Sequence, residues 1–447
     1  MTLAAYVRAH APRFVAELAE LVAFPSVSSV RGAPMEACAR WLARALRRAG
    51  ARDARLVATG GPPVVVGRIG HDRRRPTVLI YGHYDVQPAA PAWRPFSPRL
   101  RDGYLIGRGA SDAKGQLFAH VAAVEAARAV TGRLPVNVVF LIEGEEEIGS
   151  PHLPRTLARL AGYLASDVAV VSDTAVLGID RPSITYSLRG DLYLDVEARA
   201  AVPDLHSGTF GGTVQNVLRA LVRALASLHD ARGAVAVPGF AAGVAALPAR
   251  ERRFMREVGP SEGELRSEAG GAALDGDRAF SAYERATIRP SIEIAGVAGG
   301  YTGPGVHGVI PAHASAKLDV RLVPHQDPDR VHRAIFAQLA RELPRSIELA
   351  THERMRARPV QLDRRHPAAG AATRAMRRGF GRTPVFVRSG GSIPVVSTLV
   401  ETLGIPTVLM GFGLPDDRAH GPLERYSLAM FGRAIATSAA FLGELAR

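Results

Sequence analysis

Cysteine occurs once, as Cys38, in 447 residues, so no disulfide can form within the chain and structural zinc sites built on thiolates are excluded. Lysine is almost as scarce. Lys114 and Lys317 are the only two, and arginine supplies nearly all of the basic charge. The net charge of +14 is scattered, and its densest groups, Arg73 to Arg75 and Arg354 to Arg358, lack interleaved aromatic residues. A continuous face for nucleic acid is therefore not expected. No uninterrupted apolar run approaches about 18 residues, which argues against a membrane span. The opening MTLAAYVRAHAPRFVAELAELVAFPSV lacks the basic start, apolar block and cleavage site of a secretory signal, and the protein is expected in the cytoplasm. Its Leu3, Tyr6, Val7, Phe14, Leu18, Leu21 and Val22 recur at helical spacing, predicting an amphipathic helix that ends before Pro25.

What remains is an ordinary globular composition, 47% hydrophobic and 22% charged. The length exceeds what one core usually supports, so two domains are expected. Within this chain, five places deliver acidic or imidazole side chains where a strand or loop ends. PTVLIY (76–81) runs into Gly82, His83, Tyr84 and Asp85; GRGASDAKG (107–115) carries Asp112 ahead of a helix expected over 116–129. Strand 135–142 leads into EGEEEIGS (143–150), strand DVAVVSD ends at Asp173, and the loop GFGLPDDRAHGPLER holds His420. Open α/β sheets place ligands at such strand ends.

An isolated His-x-Asp or acidic triplet ordinarily means nothing beyond a polar surface. Here the acidic run Glu145 to Glu147 follows an apolar strand and precedes Gly149, which a solvated helix face does not explain. Together His83, Asp112, Glu147, Asp173 and His420 make a nitrogen and oxygen donor set without thiolate, suited to zinc, manganese or cobalt. Five ligands are too many for one tetrahedral zinc and fit two ions sharing a carboxylate. Such a centre clamps a water-derived hydroxide and polarises a carbonyl.

In order and spacing these motifs resemble the dinuclear-zinc peptidase family of carnosinase-type dipeptidases, carboxypeptidase G, succinyl-diaminopimelate desuccinylase and aminoacylase. The resemblance implies that His83, Asp112 and Asp173 hold one metal and Asp112, Glu147 and His420 the other, with Asp112 bridging. It makes Asp85 the carboxylate orienting His83, and Glu146 the general base. DLHSGTFGG (204–212) is most similar to the dipeptidase branch, where the histidine, here His206, reaches the partner subunit's site from a lid to stabilise the oxyanion; alternatively His206 only orders a glycine-rich turn. Arg321 and Ser392 match positions that contact a substrate carboxylate, for which an arginine fork is suited. Two departures fall in substrate loops: Arg388-Ser389-Gly390-Gly391-Ser392 replaces the branch's Arg-Glu-Gly-Gly-Ser, and Gly308-Val309-Ile310-Pro311 its Thr-Val-Ile-Pro. The expected activity is hydrolysis of small peptides with a free C-terminal carboxylate, with an N-acyl-amino-acid amidohydrolase or carboxypeptidase as the alternative.

Alternating helices and strands predict an α/β catalytic domain over 1–186 and 362–447, with a mainly parallel sheet covered by helices. The period-two pattern at 186–197 opens an inserted α+β lid over 187–361, expected to mediate a homodimer and to close over substrate. Expected lid elements are a helix over 213–230, short helices in 238–285, strands at 291–297, 313–323 and 346–351, and a helix over 328–342. The last part should hold a helix at 367–379, strand 384–387, helix 393–402, strand 406–410 and a final helix over 424–445.

Overall fold

The computed structural model describes residues 1–30 and 32–447. They form two compact units: Met1–Tyr186, Gln361–Arg388 and Ile393–Arg447 make the first, and Ser187–Val360 with Ser389–Ser392 the second. The turn Ser389–Ser392, expected in the catalytic part, thus groups with the second unit, where Ser389 N–H donates to Ser187 O and Arg189 Nε to Gly390 O.

At the centre of the first unit, four strands run parallel in the order Asn137–Glu143, Thr77–His83, Val168–Val171, Thr407–Leu409. Antiparallel strands flank them, Val64–Ile69 and Arg55–Val57 on one side and Ser183–Leu188 on the other. Val78, Ile80, Val138, Phe140, Val168 and Val170 point into a core shared with the helices Leu3–Val22, Ala33–Ala49, Gln116–Thr131, Pro367–Phe380 and Leu428–Leu445. The intervening Leu79, Val139, Leu141 and Ala169 are buried as well, and the helices Leu153–Leu164 and Pro394–Leu403 pack on strands Asn137–Glu143 and Thr407–Leu409. Burial on both faces is why these strands read as continuous apolar runs. Because the four are parallel, their carboxyl ends share one edge.

Helix Leu428–Leu445 is apolar and long enough to cross a membrane by length and composition; Met430, Phe431, Ala434, Ile435, Phe441 and Leu442 are buried in this core. It starts at Leu428, capped by Ser427, whose side chain accepts from Met430 N–H, and not at 424 as the sequence predicted. Arg425–Ser427 is instead a strand paired with Tyr104–Ile106, a long-range partner that periodicity does not reveal. Within the same core, His120 Nε2 lies 2.7 Å from Ser172 Oγ, and that hydroxyl donates to Met410 O.

An antiparallel sheet in the order Ser291–Gly299, His313–Leu322, Gly190–Ala200, Ile347–Ala357 forms the second unit. Helices Val217–Ala226 and Pro328–Glu342 cover one face through Leu221, Leu225, Ile335 and Leu339 against Leu192, Leu194, Val196, Leu318 and Val320. Alternate residues place Asp191, Tyr193, Asp195, Lys317, Asp319 and Arg321 on the other face. The strand expected over 186–197 divides at Arg189, and the second strand opens at Gly190, where a Cβ would meet Ala357 O and the Pro359 ring. Helix 213–230 shortens to Val217–Ala226 because Asn216 caps it through Arg219 N–H. Strand 346–351 lengthens to Ala357, since pairing with Gly190–Ala200 carries the polar HERMRA segment along.

Candidate metal centre

The shared edge of the parallel strands gathers the side chains singled out in the sequence. His83 ends the Thr77–His83 strand, Glu146 and Glu147 lie in the turn after Asn137–Glu143, and Asp173 follows Val168–Val171. Asp112 belongs to an irregular turn, Ala110–Gly115, leading into helix Gln116–Thr131. Only glycine fits at 115, where a Cβ would run into Ala110 O and the Tyr426 ring.

Ligand atoms of His83, Glu146 and Asp173 lie within 4.8 Å of one another, and so do those of Asp112, Glu147 and His420. Asp112 joins the two groups: its Oδ1 is 3.4 Å from His83 Nε2, and its Oδ2 is 3.0 Å from His420 Nε2. His83 Nε2 is also 3.5 Å from Asp173 Oδ1, and His420 Nε2 is 3.1 Å from Glu147 Oε2. His83 Nδ1 lies 3.1 Å from Asp85 O, an oxygen that can only accept, so the ring proton sits on Nδ1. The Nε2 lone pair then points at carboxylate oxygens, buried and without a hydrogen-bond partner. A cation between them resolves that conflict, and the donor set, all nitrogen and oxygen, suits one.

Crowding shows in the proton affinities. Burial, then the neighbouring carboxylates, raise Glu146 well above the ordinary carboxylate range; burial also raises Glu147 and Asp173. Against burial, His420 and His83 hold Asp112 well below that range. Hydrogen bonding to Asp112 and Glu147 raises His420 to about 11. For His83, burial opposes charge, but Asp173, Asp112 and Asp85 raise it overall, so Nε2 takes a second proton when no cation is bound and gives it up to a cation.

Asp85 does more than approach His83 Nδ1 at 3.4 Å. Its Oδ1 accepts from Glu146 N–H at 3.2 Å and its Oδ2 from Glu147 N–H at 3.0 Å, so it also fixes the turn bearing both glutamates. Gln87 Nε2 holds Glu147 Oε2 at 3.0 Å.

Two residues escaped the sequence reading. Glu424, fully buried, accepts from the N–H groups of Gly109, Ser111 and Asp112 at 2.9, 3.0 and 3.0 Å and from Arg108 Nη1 at 2.8 Å. Arg108 Nη2 in turn donates to His420 O at 2.9 Å and Gly421 O at 3.2 Å. The pair ties the Asp112 turn to the His420 loop. Its only local signal was an arginine between glycines in GRGAS and an acid at the end of the histidine loop.

In the second unit, Arg321 Nη1 lies 3.3 Å from Ser392 Oγ, which brings those two expected residues together. His206 stands apart in an exposed turn, where its Nδ1 accepts from Gly208 N–H at 3.1 Å and Thr209 N–H at 3.2 Å. Those bonds place the ring proton on Nε2.

The profile of peptidase family M20/M25/M40 matches residues 79–444. A Cys-Gly metallodipeptidase of Candida albicans is 30% identical over 460 residues, covering 96% of this chain and 94% of that protein. The crystal structure of human carnosine dipeptidase 1 superposes with a TM-score of 0.85 at 32% identity, covering 99% of each chain. An M20 metallo-carboxypeptidase from Sulfolobus solfataricus gives a TM-score of 0.86 at 30% identity, covering 97% of this chain and 99% of that one. A profile spanning most of the chain, and relatives matching nearly all of it, place the protein in the M20/M25/M40 peptidase family.

Proposed function

We propose that the protein is a metal-dependent dipeptidase that hydrolyses the amide bond of small peptides bearing a free C-terminal carboxylate. Asp112 carries this reading, because its two oxygens address two different histidines, as a carboxylate shared by two cations does. His83, Asp112 and Asp173 would hold one ion and Asp112, Glu147 and His420 the other, with zinc favoured and manganese or cobalt as alternatives. Bound there, the ions supply Lewis-acid polarisation of the scissile carbonyl and a water acidic enough to attack at neutral pH.

Glu146 acts as general base, taking the proton of the attacking water and returning it to the departing amine. Asp85 orients His83 and keeps Glu146 and Glu147 in their turn. From the lid, His206 offers Nε2–H to the developing oxyanion, in trans within a homodimer, while Arg321 and Ser392 meet the substrate carboxylate. Dimerisation through the lid is supported by strand Ser291–Gly299, an edge of its sheet with Ile294 and Val297 exposed. A cytoplasmic location belongs to the same proposal and agrees with the single cysteine.

An N-acyl-amino-acid amidohydrolase or carboxypeptidase is the second reading. It draws on the likeness to the Sulfolobus metallo-carboxypeptidase and on the loop departures at Ser389 and Gly308. Metal-reconstituted protein assayed on free dipeptides and on N-acyl-amino acids, with Glu146→Gln as the blank, separates the two. Dipeptide cleavage that falls by about 10²-fold or more in the variant is expected. Cleavage of acylated substrates alone would move the protein to the second reading.

A further inference from the structure

Arg321, on which the free-carboxylate part of the proposed function rests, is already engaged by two acids. Its Nη1 lies 3.1 Å from Asp191 Oδ2, and its Nη2 lies 2.8 Å from Asp319 Oδ2. Strand register builds this arrangement: Asp191 is the direct cross-strand partner of Arg321, and Asp319 precedes Arg321 by two residues on the same face. The other oxygen of each acid, Oδ1, is buried and accepts no hydrogen bond. Burial, opposed by Arg321 and reinforced by Asp319, raises Asp191 to about 7. One guanidinium and two carboxyls therefore sum to a single negative charge or, with one proton shared, to none. A lone arginine would offer a full positive charge to a carboxylate; this cluster does not.

Beside the cluster lies a cavity of about 450 Å³, within the range that holds small ligands. Ser291 and Glu293, the cross-strand partners of Arg321 and Asp319, form part of its wall, and the helical insertion supplies Ala241, Asp277 and Arg285. Arg189 lines it too, largely buried, with Nε on Gly390 O at 2.9 Å and Nη1 3.4 Å from Ser291 Oγ. Burial, and then the nearby Arg321, lower its proton affinity to about 10. These bonds use Nε and Nη1, so its guanidinium retains Nη2 for an acceptor in the cavity.

We propose that Asp191 and Asp319 neutralise Arg321 and that this cavity extends the substrate site, so that the enzyme accepts peptides whose C-terminal end is an uncharged amide or amide-linked group as well as free dipeptides. The extension enters the cavity and its carbonyl accepts from Arg189. The inference rests on Arg321 being the substrate contact.

Full-length, metal-reconstituted protein is assayed on one dipeptide, its C-terminal amide and its anilide. Free and amidated dipeptide should differ by less than about tenfold in kcat/KM, and Asp319→Asn should raise the preference for the free form about tenfold, by lowering its KM. Ala241→Trp, which fills the cavity from an exposed position, should cut kcat/KM for the anilide more than about tenfold relative to the free dipeptide. A wild-type preference for the free dipeptide beyond about tenfold overturns the inference without recourse to any variant. So does a preference that Asp319→Asn leaves in place while Arg321→Met raises KM for the free dipeptide. If Arg321→Met leaves that KM unchanged, the assignment of Arg321 to the substrate falls, and the inference falls with it.

Discussion

At His206 the turn-ordering role seen in the structure is compatible with the proposed oxyanion role. By accepting two backbone N–H groups through Nδ1 the ring orders its glycine-rich turn, and the same bonds leave Nε2 carrying the proton an oxyanion requires. His120 illustrates a different use of imidazole. Burial alone lowers its pKa from 6.5 to about 4, so the folded protein keeps it neutral as donor to Ser172. A depressed histidine contributes stability that is complete above the unfolded value and is lost as pH falls from 6.5 towards 4. Denaturant unfolding at pH 7 and pH 5 should show a loss of about 2 kcal/mol attributable to this residue, and His120→Gln should remove that part of the slope. An equal slope in the variant would sink the assignment. No sequence pattern announced His120, which lies among apolar residues of a helix that reads correctly without it.

At the scale of elements, legibility followed the range of the interactions. Helix Pro328–Glu342 was readable to the residue because its signals are local: Asp327 accepts from Arg330 N–H, and proline occupies the first helical position. Strand Arg425–Ser427 and the end of Ile347–Ala357 were misread because distant partners decide them. The same holds for the site. Ligand candidates at strand ends were visible, whereas Arg108 and Glu424 are 316 residues apart and each looks like an ordinary surface charge. In Glu424→Gln, an amide NH2 must replace one of two oxygens that each accept two N–H donors, so the Asp112 turn loses anchorage. We expect metal released to a chelator at least about tenfold more readily, and a stability loss of about 3 kcal/mol by chemical denaturation. Unchanged metal retention would show that the Asp112 turn holds its shape without this anchor.

Over the whole molecule, the second unit runs over Ser187–Val360 with Ser389–Ser392, and its opening follows the sequence change from continuous apolar strands to alternating ones, which is itself a change of burial pattern. Subunit exchange tests the proposed action of His206 across a dimer. Glu146→Gln and His206→Ala, each nearly inactive alone, should recover about a quarter of wild-type turnover when unfolded and refolded together, since half the dimers then carry one intact site. No recovery, with mixed dimers present, would confine His206 to its own subunit or remove it from catalysis. The buried Arg108–Glu424 tie has a consequence for the order in which a ribosome delivers the chain. Every acid expected to hold a cation has emerged by Asp173, yet the residue that fixes the Asp112 turn, and the strand Thr407–Leu409 beside Val168–Val171, arrive only after the whole of the second unit. Nascent chains arrested before residue 400 should therefore present the acidic cluster without a settled shape, and cation capture becomes a late, post-synthetic event.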